Sequence, residues 1–177
     1  PGPLVVVRAM QAAGDDHPGL AGQGGRGRHI HPAIRPGLSG HMGAVHADLF
    51  CDNVLFDGLP GHEKLTGAFD FYFAGTDSFG YDLAVCLNDW CLNADDASLD
   101  MARAQALVQA YEAQRPLSAT EHRLLPALLR AAALRFWLSR LGDWHLPRPA
   151  ALLQPKDPGH FERVLRQRIA QPWHALV

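Results

Sequence analysis

The chain has 177 residues, of which 47% are hydrophobic. That length supports one domain with a sizeable core. With 16 basic and 18 acidic residues the formal charge is −2. No basic stripe follows a helical face, which argues against a nucleic-acid partner. The three cysteines, Cys51, Cys86 and Cys91, form no C-x-x-C pair. A disulfide framework or structural zinc site is not expected, and a reducing cytoplasm suits the chain. No apolar run reaches membrane-spanning length, and Leu4–Val7 is too short for a signal peptide.

Residues 1–40 read as an irregular arm rich in Gly, Pro, His and Arg, with Leu4–Val7 as a short strand. Gly22-Gln23-Gly24-Gly25-Arg26-Gly27 matches G-x-G-x-x-G, but no strand directly precedes it and no helix follows. His29-Ile30-His31 has metal-pair spacing without an evident third ligand. Both are read as parts of the arm.

From Gly43 the chain becomes orderly, and residues 41–177 read as one domain. Ala44-Val45 leads into a loop over His46–Asn53. Val54-Leu55-Phe56 reads as a short buried strand. A turn-rich stretch, Asp57–Lys64, leads to a second strand over Leu65–Phe69, making a hairpin. After Asp70 the pattern turns helical. Leu83, Leu87, Trp90 and Cys91 share one helix face, and Ala104, Leu107, Val108 and Tyr111 share another. Ser118-Ala119-Thr120-Glu121 is a capping box. It opens a long helix through Leu124, Leu128, Ala132 and Leu138 towards Leu141. A loop with Pro147, Pro149 and Pro155 follows, and Asp157-Pro158 starts a last helix.

The segment His46-Ala47-Asp48-Leu49-Phe50-Cys51-Asp52-Asn53 fits H-x-D-x-x-x-x-N, a kinase catalytic-loop spacing. Such a loop presents Asp48 to an attacking hydroxyl and Asn53 to a metal on the phosphates. The hairpin's open ends lie side by side, which brings Asn53 next to Asp70. An amide oxygen and a carboxylate there suit Mg²⁺. A lone Asp or His in a loop is ordinarily a solvated or capping residue. The combined pattern of loop, strand, turn, strand and Asp is what points to phosphoryl transfer.

These residues resemble the aminoglycoside phosphotransferase-like kinases. Val45–Phe50, Asp52–Phe56, Asp70–Ala74, Tyr81–Ala84, Asn88–Cys91, Arg135–Leu141, His145–Pro149 and Lys156–Pro158 are similar to the bacterial homoserine kinases of that superfamily. The resemblance covers about residues 43–170. It implies an α+β fold: a mainly helical, kinase-like C-terminal lobe with a small β-hairpin beside the catalytic loop. It implies Asp48 as catalytic base or orienting carboxylate, His46 as a catalytic-loop brace, and Asn53 and Asp70 as the residues that hold Mg²⁺ and the nucleotide phosphates. Asp82 would support the loop from behind or act as a helix-start carboxylate. Asn88 and Asp89 are candidate substrate contacts, set against an ordinary exposed helix face. The implied substrates are ATP and L-homoserine, with aminoglycoside- or choline-type alcohols as the alternative acceptors.

The two lysines, Lys64 and Lys156, both follow the catalytic loop. The phosphate-gripping lysine of an N-terminal nucleotide lobe is therefore missing from the pattern. The chain is accordingly expected to be a lobe without its nucleotide half, or to start in a shifted frame. An inactive truncated lobe is the non-enzymatic reading.

Overall fold

A computed structural model describes residues 41–59, 62–146 and 155–176. The expected arm over 1–40, its strand, its glycine run, its histidine pair, and Pro147 and Pro149 lie outside those residues.

The described fold is α+β, with four short strands and four helices. Strand β1 (Met42–Val45) pairs antiparallel with β4 (Gly75–Ser78), from Met42 opposite Ser78 to Val45 opposite Gly75. The sequence reading did not foresee this pair. Gly43 has a steric reason: a Cβ there would run into the Phe79 ring, so glycine lets that ring lie close on β1.

The expected hairpin is present as β2 (Val54–Asp57) and β3 (Lys64–Ala68), with a bulge between Leu55 and Phe56. It is not a buried strand pair. Val54 is buried and Phe56 packs edge-on against Trp90, whereas Leu55 is 55% exposed. Successive strand residues face opposite ways, and only one face of this hairpin rests on a helix.

Helix α1 (Phe79–Trp90) is the centre of the domain, buried from Gly80 to Asn88. Helix α2 (Met101–Glu112) is capped by Asp100, whose side chain accepts from Arg103 N, and it buries Ala104, Leu107, Val108 and Tyr111 as expected. Helix α3 (Ala119–His145) opens with the full capping box of Ser118 and Glu121. Its buried stripe runs through Leu125, Leu128, Leu129, Ala132, Ala133 and Phe136. Leu138, expected inside, is 54% exposed. The helix has outrun its cover there, and its last turns stand in solvent. Pro126 costs the ladder one N–H but does not end the helix. Helix α4 (Pro158–Ala170) begins as expected, with Asp157 accepting from Gly159 N and Pro158 in the first turn. Helix α3 packs on both α1 and α4, and Phe50, Phe136 and Phe161 stack where the three meet the loop after β1. Among the described residues no helix is long and apolar enough to cross a membrane.

Candidate active site

The loop between β1 and β2 hangs on one side of α1. Asp82, Cys86, Asp89 and Trp90 follow one another at helical spacing, so they share a face. Asp82 accepts from Ala47 N at 2.7 Å and from His46 N at 3.4 Å. Leu49 O accepts from Trp90 Nε1 at 2.9 Å and from Cys86 Sγ at 3.6 Å. Asp89 accepts from Cys51 N at 2.7 Å. A run of loop backbone that would otherwise be buried without partners is thus satisfied by one helix face. From α3, Arg135 Nη1 donates to Ala47 O at 3.0 Å.

This grip explains an unusual backbone. Ala47 sits at φ 61° and Asp70 at φ 63°, in the left-handed region that costs a side-chain-bearing residue of the order of 1 kcal/mol. Both flank the same corner. Ala47 is held by Asp82 through its N–H and by Arg135 through its carbonyl. Strain of this kind persists only where surroundings over-determine it.

Asp48 follows Ala47 with its side chain 13% exposed. Burial pushes its carboxyl up to about 7, against the pull of Arg135 and with a smaller push from Asp70. Its own carbonyl accepts from Asn53 Nδ2 at 2.7 Å. That bond uses the nitrogen of the Asn53 amide and leaves its oxygen available as a ligand. Phe69 N donates to Asn53 O at 3.1 Å, so the residue before Asp70 is tied to Asn53, as hairpin topology required. The Asp70 carboxylate is exposed and is not spent on capping the 3₁₀ turn that follows it. Among the described residues no cluster of three or more His, Cys, Asp and Glu forms an ion cage. An amide oxygen and one carboxylate still suit Mg²⁺, which keeps waters and binds through few protein ligands plus substrate phosphates.

His46 is wholly buried, and its Nε2 donates to Phe69 O at 3.0 Å. A group enclosed in this way ties the loop to the residue before Asp70. Asp82 is 5% exposed with both oxygens on the loop, which favours loop support over helix capping. Asn88 corrects the exposed-face reading offered for it. It is fully buried, donating to Leu129 O at 2.7 Å and accepting from Arg168 Nε at 3.0 Å. It is not an exposed helix face, and its side chain is committed to those two partners. Asp89 is half-buried and committed to Cys51 N.

Two cations were missed. Arg135 Nη1 stands 4.0 Å from Asp48 Oδ1, and Lys156 Nζ is 2.7 Å from Asp52 Oδ2. Their places in the sequence, far from the loop, gave no sign of this.

The pattern that defines the phosphotransferase enzyme family matches residues 8–117. The match extends across residue 40, where the sequence reading divided the chain. A homoserine kinase of Polaromonas naphthalenivorans is 61% identical over 131 residues, covering 74% of this chain and 40% of that protein. One of Cupriavidus pinatubonensis is 59% identical over 72% of this chain and 39% of its own length. One of Burkholderia mallei is 54% identical over 72% of this chain and 40% of its own length. The chain thus spans about 40% of the length of these curated relatives.

Proposed function

The chain belongs to the phosphotransferase enzyme family, and from that premise we propose that it is the acceptor- and metal-handling lobe of an ATP-dependent homoserine kinase. The reaction transfers the γ-phosphoryl group of ATP to the side-chain hydroxyl of L-homoserine, giving ADP and O-phospho-L-homoserine. The names of the similar proteins support the acceptor. The observation that carries the chemistry is Asp48, presented by a strained loop whose Ala47 is held by Asp82 at its N–H and by Arg135 at its carbonyl.

Catalysis in such a site is positioning and charge neutralisation. Asp48 accepts a hydrogen bond from the acceptor hydroxyl, aligns its oxygen with the phosphorus and takes the proton as the P–O bond forms. A carboxyl held near neutrality by burial is suited to that exchange. Asn53, through its amide oxygen, and Asp70, through its carboxylate, would hold Mg²⁺. When bound, the ion neutralises the β- and γ-phosphate oxygens. His46 keeps those ligands in step with Asp48 by tying the loop to Phe69.

The test is Asp48→Asn in the full-length protein. Turnover of L-homoserine is expected to fall about 10³-fold, within the range for loss of a positioned base, with thermal unfolding unchanged. Near-normal turnover would refute the assignment.

A further inference from the structure

Two cations stand beside the catalytic loop, Arg135 next to Asp48 and Lys156 next to Asp52. Arg135 projects from α3 to the catalytic loop. Its guanidinium stacks on Phe73 at 4.2 Å and on Phe136 at 4.1 Å, which fixes its plane. One nitrogen, Nη1, serves Ala47 O, and among the described residues no other hydrogen bond of this guanidinium is seen. The side chain is 23% exposed, so the group is ordered yet reachable. A planar, pre-oriented guanidinium with spare donors suits a carboxylate.

Lys156 approaches from the turn before α4. Arg140 Nη1 donates to Asp157 O at 3.3 Å, and Asp157 caps α4, so the turn that carries Lys156 is anchored. Its partner Asp52 lies in the catalytic loop, and the two side chains are 59% and 60% exposed. An ion pair so open to water is worth little and is readily exchanged for a ligand's carboxylate. Arg135 faces Asp48 at 4.0 Å, and Lys156 faces Asp52, four residues further along the same loop.

We propose that Arg135 and Lys156 form an anion site on the acceptor side of Asp48 that takes the carboxylate of an amino-acid alcohol. This rests on the reading of Asp48 as the residue that receives the acceptor hydroxyl. The carboxylate carbon of homoserine lies four bonds from its hydroxyl oxygen, on the order of 4–5 Å at ordinary bond lengths. Arg135, 4.0 Å from the Asp48 carboxylate, stands at that range. The same two cations repel an aminoglycoside or a choline, so the pair sets the substrate class as well as the pose.

The experiment uses the full-length enzyme and two acceptors: L-homoserine, and the aminopropanol that keeps its hydroxyl and amine but lacks the carboxylate. Lys156→Met is expected to raise KM for L-homoserine about 10-fold, the low end for one charge-assisted hydrogen bond. It should leave kcat, KM for ATP and kcat/KM for aminopropanol near wild type. Arg135→Met is expected to lower kcat/KM for L-homoserine at least 10-fold more than for aminopropanol, and Arg135→Lys to recover part of that difference. Equal losses on the two acceptors would mark both residues as loop supports and overturn the proposal. A rise in KM for ATP in place of L-homoserine would assign them to phosphate and overturn it as well. Failure of the underlying reading looks different: wild-type enzyme that does not phosphorylate L-homoserine, or Asp48→Asn enzyme that does, would remove both ideas together.

Discussion

Two corners of this domain are each built round a buried carboxylate, and they use it in opposite ways. Asp82, 5% exposed, holds the catalytic loop, while Glu121, 2% exposed, joins the start of α3 to the chain before β1. Burial drives both acids towards the neutral form. At Asp82 it prevails: the N–H groups of Ala47 and His46 lower the carboxyl less than burial raises it. At Glu121 burial is outweighed by the Ser118 N–H and by Arg115, and the carboxyl falls to about 2. Arg115 Nη2 lies 2.6 Å from Glu121 Oε1. Glu121 accepts from the Ser118 N–H and from the Arg115 guanidinium together, and that set outweighs burial, whereas at Asp82 the two loop N–H groups do not. The Glu121 corner therefore serves stability, and the Asp82 corner spends stability to hold a loop in shape.

The largest expected effect follows from Glu121. Its carboxyl is lower in the folded chain than its ordinary 4.5. Its contribution is thus fully present above about pH 4.5 and is lost as pH falls towards 2. A fall of that size corresponds to about 3 kcal/mol. Glu121→Gln in the full-length protein is expected to lower unfolding stability at pH 7 by up to that amount, measured by urea denaturation. The gap from wild type should close between pH 4.5 and 2. A gap that persists at pH 2 would show that the capping hydrogen bonds, and not the charge, carry the effect. Turnover at pH 7 and low temperature should change less than about 3-fold, because Glu121 touches no part of the catalytic loop.

Asp82→Asn is expected to show the reverse pattern. One oxygen remains to accept from a loop N–H, and the new amide nitrogen faces the other N–H as a donor. The lost acceptor costs about 1–3 kcal/mol, but removal of a charge that burial disfavours offsets much of it. Stability should therefore move by less than about 1 kcal/mol. The loop is no longer fixed, and a small displacement of Asp48 is worth up to about 10²-fold in turnover. A kcat within about 2-fold of wild type would dissolve the contrast between the two acids.

How far this was legible in sequence depends on the range of the interactions. The hairpin and the loop before it could be read because H-x-D-x-x-x-x-N and the strands that follow it are local patterns. The capping box and the Asp157-Pro158 start were legible for the same reason. The β1–β4 pair was not: Gly75–Ser78 carries no apolar alternation, and its partner strand is four residues long. Leu55 and Leu138 were expected inside because apolar type marks a preference and does not say what covers it. Asn88 looked like a surface residue, and its partners Leu129 and Arg168, 41 and 80 positions away, show why it is enclosed. Arg135 and Lys156 were not read as neighbours of the loop because 88 and 104 positions separate them from their partners Ala47 and Asp52. Their neighbour Asp48 is supplied by the fold.

The smallest effect tests whether the left-handed turn at Ala47 is a cost that the Asp82 corner meets. Ala47→Gly removes the Cβ that disfavours φ 61°, a gain of about 1 kcal/mol. Glycine also widens the unfolded ensemble, which takes back about 0.5–1 kcal/mol. Net stability should therefore stay within about 0.5 kcal/mol of wild type. The informative result is the double variant with Asp82→Asn. With the strain relieved, the loop keeps its left-handed turn with less need of the carboxylate, so Ala47→Gly should recover part of the turnover lost in Asp82→Asn, by about 3-fold. Strictly additive losses would mean that Asp82 places Asp48 by some route other than the conformation of Ala47.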